Sequence, residues 1–233
     1  METVTAVSPA GLGPGDVAGR LAAVRARIAR AGGDPQRIII VAVTKGFRAD
    51  VVRAALDAGL GDVGENYAQE LIAKAASLGR RDRIRWHFLG PVQRNKVDAL
   101  ASLVAVWQSI DRPAAGEAIA RRAPGAEVLV QVNVSGESAK HGCALEDASE
   151  LVDRLRALEL RVLGLMAIGP SGPPELARPG FRALARLAHR LELPELSMGM
   201  TEDLEVAVQE GATMVRIGRA LFGPRPGTPR LRR

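Results

Sequence analysis

Ile38-Ile39-Ile40-Val41-Ala42-Val43-Thr44-Lys45-Gly46 is the stretch that decides the fold. Six apolar residues in a row, rich in β-branching, are what a strand buried on both faces requires. Gly32-Gly33 upstream and Gly46 downstream bound the run, so it is too short for a buried helix. Outward from it the pattern repeats. The sequence predicts strands near 38–45, 62–66, 84–89, 104–110, 127–134, 161–168, 195–199 and 213–218. Helical patterns fall between them, near 49–58, 67–78, 93–101, 113–122, 145–157, 176–191 and 201–210. One more precedes the first strand, over 16–31, with Val17, Leu21, Val24 and Ile28 at helical spacing. Gly59, Gly79, Gly125 and Gly211 stand where helix stops belong.

Eight strands alternating with helices imply parallel strands covered by helices, an α/β chain. Eight βα units in about 200 residues fit a single-domain (β/α)8 TIM barrel at its compact end. The alternative is a doubly wound open sheet, but no GxGxxG follows the first strand. The expected layout is a flexible extension over 1–15, a barrel over 16–223 and a basic tail over 224–233. Gly169 to Pro179, with four prolines, reads as one long loop of the barrel.

Composition narrows the function. The 233 residues are 47% hydrophobic and 25% charged, which excludes wholesale disorder. Cys143 is the only cysteine, so no internal disulfide forms, and a reducing cytoplasmic setting is expected. No apolar run reaches membrane-spanning length, and the first residues lack the pattern of a signal peptide. Net charge is +6, but Arg225, Arg230, Arg232 and Arg233 supply much of it locally. With 3% aromatics, stacking platforms for single strands are scarce, and no nucleic-acid partner is expected.

In a TIM barrel, chemistry sits at the C-terminal ends of the strands. Those ends here collect polar residues and glycines: Thr44-Lys45-Gly46, Gly64-Glu65-Asn66, His87, Gln108-Ser109, Asn133, Met166, Ser197-Met198-Gly199-Met200-Thr201 and Arg216-Ile217-Gly218. Lys45 is one of only four lysines and ends the most apolar strand. Desolvation there would lower its basicity and free the amine to attack a carbonyl. The bland alternative is a lysine that snorkels to solvent or pairs with Glu65. After the seventh and eighth strands, Thr201 suits a helix N-cap and Arg216 with Gly218 suits an anion, the usual place for phosphate in such barrels. An amine at one end and a phosphate grip at the other fit an aldehyde bearing a phosphate. Pyridoxal 5′-phosphate (PLP) is the common cofactor of that kind. His87 reads either as an acid/base or as a core hydrogen-bonding group. His141 and His189 lack metal-ligand spacing, and no metal is expected. There is no Walker loop, HExxH or GxSxG.

The ordered set VAVTKG (41–46), GENYAQE (64–70), HFLGPVQRNK (87–96), QSID (108–111), VNVSGESAKHGC (132–143), GLMAIG (164–169) and SMGMTEDLEVAVQEGATMVRIGRALFG (197–223) resembles the pyridoxal phosphate homeostasis proteins. These are similar to the barrel domain of fold-type III PLP enzymes such as alanine racemase. The resemblance implies that Lys45 holds PLP as an aldimine and that Arg216 lies near the pyridine nitrogen. It implies that Ser197, Thr201 and the backbone at Ile217-Gly218 grip the phosphate, with Asn66 and Met166 lining the pocket. Thr201 stands where the family usually has serine, and keeps the hydroxyl. Lys140 belongs to a matching loop and is a candidate second acceptor of PLP. The resemblance also implies a monomer, a role in vitamin B6 homeostasis without catalytic residues, and apo PLP-dependent enzymes as recipients. The alternative is a small PLP enzyme such as an amino-acid racemase. That alternative needs acid/base groups on both faces of the cofactor. Racemases of this fold take one from a second, β-rich domain that this sequence does not show.

Overall fold

The computed structural model describes residues 14–79, 84–137 and 140–225. Eight parallel strands close into one barrel in chain order. They are β1 (Ile39–Val43), β2 (Asp62–Glu65), β3 (Arg85–Phe88), β4 (Val104–Ile110), β5 (Glu127–Val132), β6 (Arg161–Ala167), β7 (Glu195–Ser197) and β8 (Met214–Ile217). Closure is made where Val41 of β1 pairs with Arg216 of β8. The open-sheet alternative is thereby excluded. Helices α1 (Pro14–Arg30), α2 (Ala49–Asp57), α3 (Ala68–Leu78), α4 (Val97–Leu100), α5 (Pro113–Arg122), α6 (Ala148–Ala157), α7 (Arg178–Arg190), α8 (Leu204–Gln209) and α9 (Arg219–Phe222) surround it. The extension and tail expected over 1–15 and 224–233 lie mostly outside the described residues.

The pleat sorts side chains into two cores. Outward-facing residues such as Ile40, Ala42, Val63, Trp86, Trp107, Val128, Leu165 and Ile217 pack against the helices. Inward-facing Val106, Leu129 and Met166 form a small separate apolar cluster inside the barrel. Buried polar residues share the barrel interior with them and with Val41 and Met214: His87, Gln108, Gln131, Ser197 and Arg216. A strand buried on both faces therefore carries two different requirements. Its outer residues must be apolar, while its inner residues need only be satisfied.

The strands stop earlier than the apolar runs suggest. β1 ends at Val43, and Phe47 N–H closes a turn on Thr44 C=O at 3.1 Å, with Gly46 at φ +76°. The helix expected over 93–101 is a 3-10 turn, Arg94–Lys96, followed by the short α4. The one expected over 201–210 begins only at Leu204, because Asp203 turns back to accept from Met200 N–H at 2.6 Å. α9 is four residues long, too short for periodicity to register. These departures gather at the C-terminal rim, where the chain forms loops around a cavity.

Candidate functional site

A cavity of about 810 Å³ opens at the C-terminal ends of the strands. Lys45, Asn66, Met166, Thr201, Arg216 and Gly218 all line it. The site residues read from four widely separated stretches of sequence thus meet around one space. The wall also carries five cations, Lys45, Lys140, Arg216, Arg219 and Arg225, against two carboxylates, Glu202 and Asp203. Such a surplus in a concave site concentrates anions.

The end of β1 places Lys45. Successive side chains alternate across a strand, so Thr44 turns outward and Lys45 inward to the cavity. On the outer side Thr44 Oγ1 donates to Glu65 Oε1 at 2.5 Å, and Lys74 Nζ donates to Thr44 C=O at 2.8 Å. Gly46 N–H donates to Glu70 Oε2 at 2.7 Å. The backbone on both sides of Lys45 is therefore held by α3 and the end of β2. Glu65 pairs with Lys74, at 2.6 Å, and not with Lys45. Burial lowers the basicity of Lys45, and the charges of Arg225 and Arg216 lower it further, against a weaker opposite pull from Glu65 and Glu70. The amine is half-buried and has no carboxylate in ion-pairing contact among the described residues.

Arg216 crosses the cavity floor. Nη1 donates to Ser197 C=O and to Ser197 Oγ, both at 2.7 Å, and Nη2 donates to Ala167 C=O at 2.7 Å. Burial pulls its pKa down to about 10, which leaves it cationic at neutral pH. Ser197 is fully buried, and its hydroxyl is spent between Arg216 and Gln108; it does not form part of the cavity wall. Ile217 also turns away, into the outer core, so only its backbone is near the site.

The loop from Gly199 to Asp203 forms the far wall. Gly199 has φ +90°, and a Cβ there would lie 2.4 Å from Ala207. Only glycine lets the chain turn this tightly against α8. Arg27 of α1 grips Glu205 with Nε and Nη2 at 2.7 Å each, and Nη2 also donates to Thr201 C=O at 2.8 Å. Ala220 N–H of α9 donates to Thr201 Oγ1 at 3.3 Å. The helix before the barrel and the one after it thus hold the loop between them. Lys140 Nζ reaches the opposite edge, donating to Glu137 Oε1 and Gly169 C=O at 2.8 Å each.

Other candidates fall elsewhere. His87 is buried beneath the cavity, between Asp62 and Gln108. Cys143 is held beside β5, and burial pushes its thiol up to about 12, so it is no nucleophile. Among the described residues no cluster could hold a metal ion, and no helix is long and apolar enough to cross a membrane. Sequence reading missed the Glu65–Lys74–Glu70 group, although Glu70 and Lys74 stand at i,i+4. It also missed the Arg27 brace, for which a non-local contact leaves no local signal.

Comparison with known proteins follows the same lines. The family model for the alanine racemase N-terminal domain matches residues 20–226. A pyridoxal phosphate homeostasis protein of Pseudomonas aeruginosa is 44% identical over 223 residues, 90% of this chain and 96% of the relative. Its counterpart in Escherichia coli is 38% identical over 228 residues, covering 90% and 97%. The structure of PipY from Synechococcus elongatus with PLP bound superposes with a TM-score of 0.77 at 32% identity, over 89% of this chain and 100% of that one. A D-threo-3-hydroxyaspartate dehydratase of Delftia shares the fold alone, with a TM-score of 0.66 at 18% identity over 59% of its length. By the family model and by identity along nearly the whole of these relatives, the chain belongs to the pyridoxal phosphate homeostasis protein family, on the barrel fold of the alanine racemase N-terminal domain.

Proposed function

We propose that this protein binds PLP in the rim cavity, attached through Lys45 Nζ, and serves PLP homeostasis as a carrier without turnover. The observation that carries the reading is Lys45 itself: a lysine with lowered basicity, without a carboxylate partner, inside a cavity surplus in cations. The residues fit the cofactor. An aldehyde needs a neutral amine, and burial favours that form. A phosphate needs cations and hydroxyls, which Thr201 and the neighbouring arginines supply. Asn66 lines the cavity and has a buried Oδ1 without a partner, a polar atom for a ligand donor to satisfy.

Bound to a lysine, PLP supplies an electrophilic carbon and an electron-withdrawing ring. The chain's own groups divide the work of holding it. Thr201 and the backbone at Ile217-Gly218 take the phosphate end. Arg216 would donate to the pyridine nitrogen and, being a donor only, would leave no proton there, weakening electron withdrawal by the ring. Ser197 acts through Arg216 and not on the phosphate directly. Met166 packs the inner wall. The carrier reading draws on two side chains that do not serve as acid/base groups in the cavity: both ring nitrogens of His87 are spent below the floor, and Tyr67 is 56% exposed and lies outside the cavity wall. Apo PLP-dependent enzymes as recipients, a monomeric state and a cytoplasmic setting belong to the same proposal.

The test is PLP uptake by wild type and Lys45→Ala, read by the visible absorption of lysine-bound PLP, then borohydride trapping and peptide mapping. The expected result is one adduct, on Lys45, lost in the variant. An adduct on Lys140 in Lys45→Ala protein would identify a second acceptor. No adduct in wild type overturns the reading. Incubating the loaded protein with amino acids in D2O tests the carrier role: no deuterium at Cα is expected, and incorporation would make it an enzyme.

A further inference from the structure

A chain of hydrogen bonds runs through the barrel interior from the cavity floor to the opposite rim. Arg216 Nη1 lies 2.7 Å from Ser197 Oγ. Ser197 Oγ lies 2.6 Å from Gln108 Oε1. Gln108 Nε2 lies 2.6 Å from His87 Nδ1, and His87 Nε2 lies 2.8 Å from Asp62 Oδ1. The five residues come from β8, β7, β4, β3 and β2. Ser197, Gln108 and His87 are fully buried, while Asp62 reaches solvent at the N-terminal rim.

The two ends fix the outer links, and the Gln108 amide orients the inner ones. A guanidinium only donates, and a carboxylate only accepts. Ser197 Oγ accepts from Arg216 and, with the Gln108 carbonyl turned toward it, gives its proton to Gln108 Oε1. The Gln108 amide then turns its NH2 to His87 Nδ1, which must accept, so the ring carries its proton on Nε2 and donates to Asp62. The second Gln108 N–H has its own acceptor, Met214 Sδ at 3.0 Å, which agrees with this orientation. No link can be reversed alone, because a reversed amide would set its carbonyl against Met214 and leave the Ser197 proton without its acceptor.

We propose that Gln108 and His87 are positioning residues for the cofactor site, fixing Arg216 through the Ser197 hydroxyl. The proposal rests on the PLP reading above. Arg216 has three N–H directions spent on Ser197 and Ala167. These three bonds set the guanidinium plane where Arg216 lines the cavity. Neither Gln108 nor His87 lines the cavity, so their effect on PLP must pass through Arg216.

Two measurements test it on PLP-loaded protein. Long-range 15N–1H spectra of histidine-labelled wild type should show His87 neutral with its proton on Nε2; a ring protonated on Nδ1 overturns the chain. Gln108→Met should weaken PLP binding about tenfold and shift the absorption band, while Lys45 still traps PLP. Gln131→Met is the control. Gln131 is an equally buried barrel-interior glutamine that donates to His141 C=O at 3.0 Å and has no link to Arg216. It should bind PLP as wild type does. Equal losses in both variants, or an unchanged Gln108→Met, overturn the proposal. Where Gln108→Met does not fold, Ser197→Ala removes one oxygen from the same chain and should show the same loss. Wild type that takes up no PLP removes the reading beneath the proposal; uptake with an unaltered Gln108→Met removes the proposal alone.

Discussion

The two sides of the chain at the end of β1 give two lysines opposite surroundings. On the outer side Lys74 is 5% exposed, and Glu65, Glu70 and Thr44 C=O all accept from it. On the inner side burial, then the charges of Arg225 and Arg216, push the basicity of Lys45 down. Thr44 separates the two settings by a single residue. Burial alone therefore does not mark a reactive lysine, since Lys74 is the more buried of the pair. What sets Lys45 apart, and motivates the proposed PLP site, is burial without a counter-charge, next to other cations. The fold uses one ion pair to anchor the strand end and withholds the same arrangement from the neighbouring amine.

The largest effect should come from breaking the outer side. Lys74→Met leaves Glu65 buried with no cation, and Glu65 Oε2 already lacks a partner. Urea unfolding should show a loss of about 3–5 kcal/mol, the usual result of orphaning a buried charge. Adding Glu65→Leu should recover most of it, to within about 2 kcal/mol of wild type, since the pair removed together leaves no charge behind. Wild-type stability in Lys74→Met alone would show that Glu65 does not need its partner, and the contrast would collapse.

The inner side should respond with the opposite sign. Lys45→Met removes an unpaired cation, so the apo variant should be slightly more stable than wild type at neutral pH, by under about 1 kcal/mol with solvent screening at the cavity mouth. The pH dependence follows from the direction of the shift. Folding holds Lys45 below its ordinary 10.5, so between the two values the unfolded chain binds a proton that the folded chain does not. Wild-type stability gains from this group as pH rises through that window. The advantage of Lys45→Met should therefore shrink toward pH 10.5. An advantage that grew with pH would mean Lys45 has a carboxylate partner after all.

Much of this was legible in the sequence, and the reason differs by feature. The barrel followed from strands such as 104–110, which coincides with β4, and 127–134, which overruns β5 by only two residues. Continuous outward apolar burial leaves a strong local signal. Lys45, Arg216 and Gly218 could be placed at the rim because a parallel barrel puts every strand's C-terminal end there. Ser197 was harder. Its position at a strand end suggested the phosphate, but inward alternation on the three-residue β7 sets it below Arg216. The destination of Glu65 was ambiguous because both Lys45 and Lys74 were available. Only the pleat, turning Thr44 outward with Glu65, decides between them. Gln108 and Arg27 matter through partners 89 and 178 residues away, respectively, which periodicity cannot register.

The smallest effect should sharpen the inner side without breaking it. Arg225 stands at the cavity edge, with Cδ 3.2 Å from where a Cβ on Gly46 would lie. Its charge is the second cause of the lowered basicity of Lys45, after burial. Arg225→Ala removes that charge and leaves burial in place, so Lys45 should become more basic. Capture of an aldehyde needs the neutral amine. The pH at which PLP becomes trappable on Lys45 should therefore move upward. Salt screens such an interaction. In high salt the variant and wild type should converge, wild type moving toward the variant. A shift to lower pH, or one that salt leaves intact, would mean that Arg225 acts by packing against Gly46 and not by its charge. Burial and the charge of Arg216 would then account for the lowered basicity without Arg225, whose charge would serve only the proposed phosphate site.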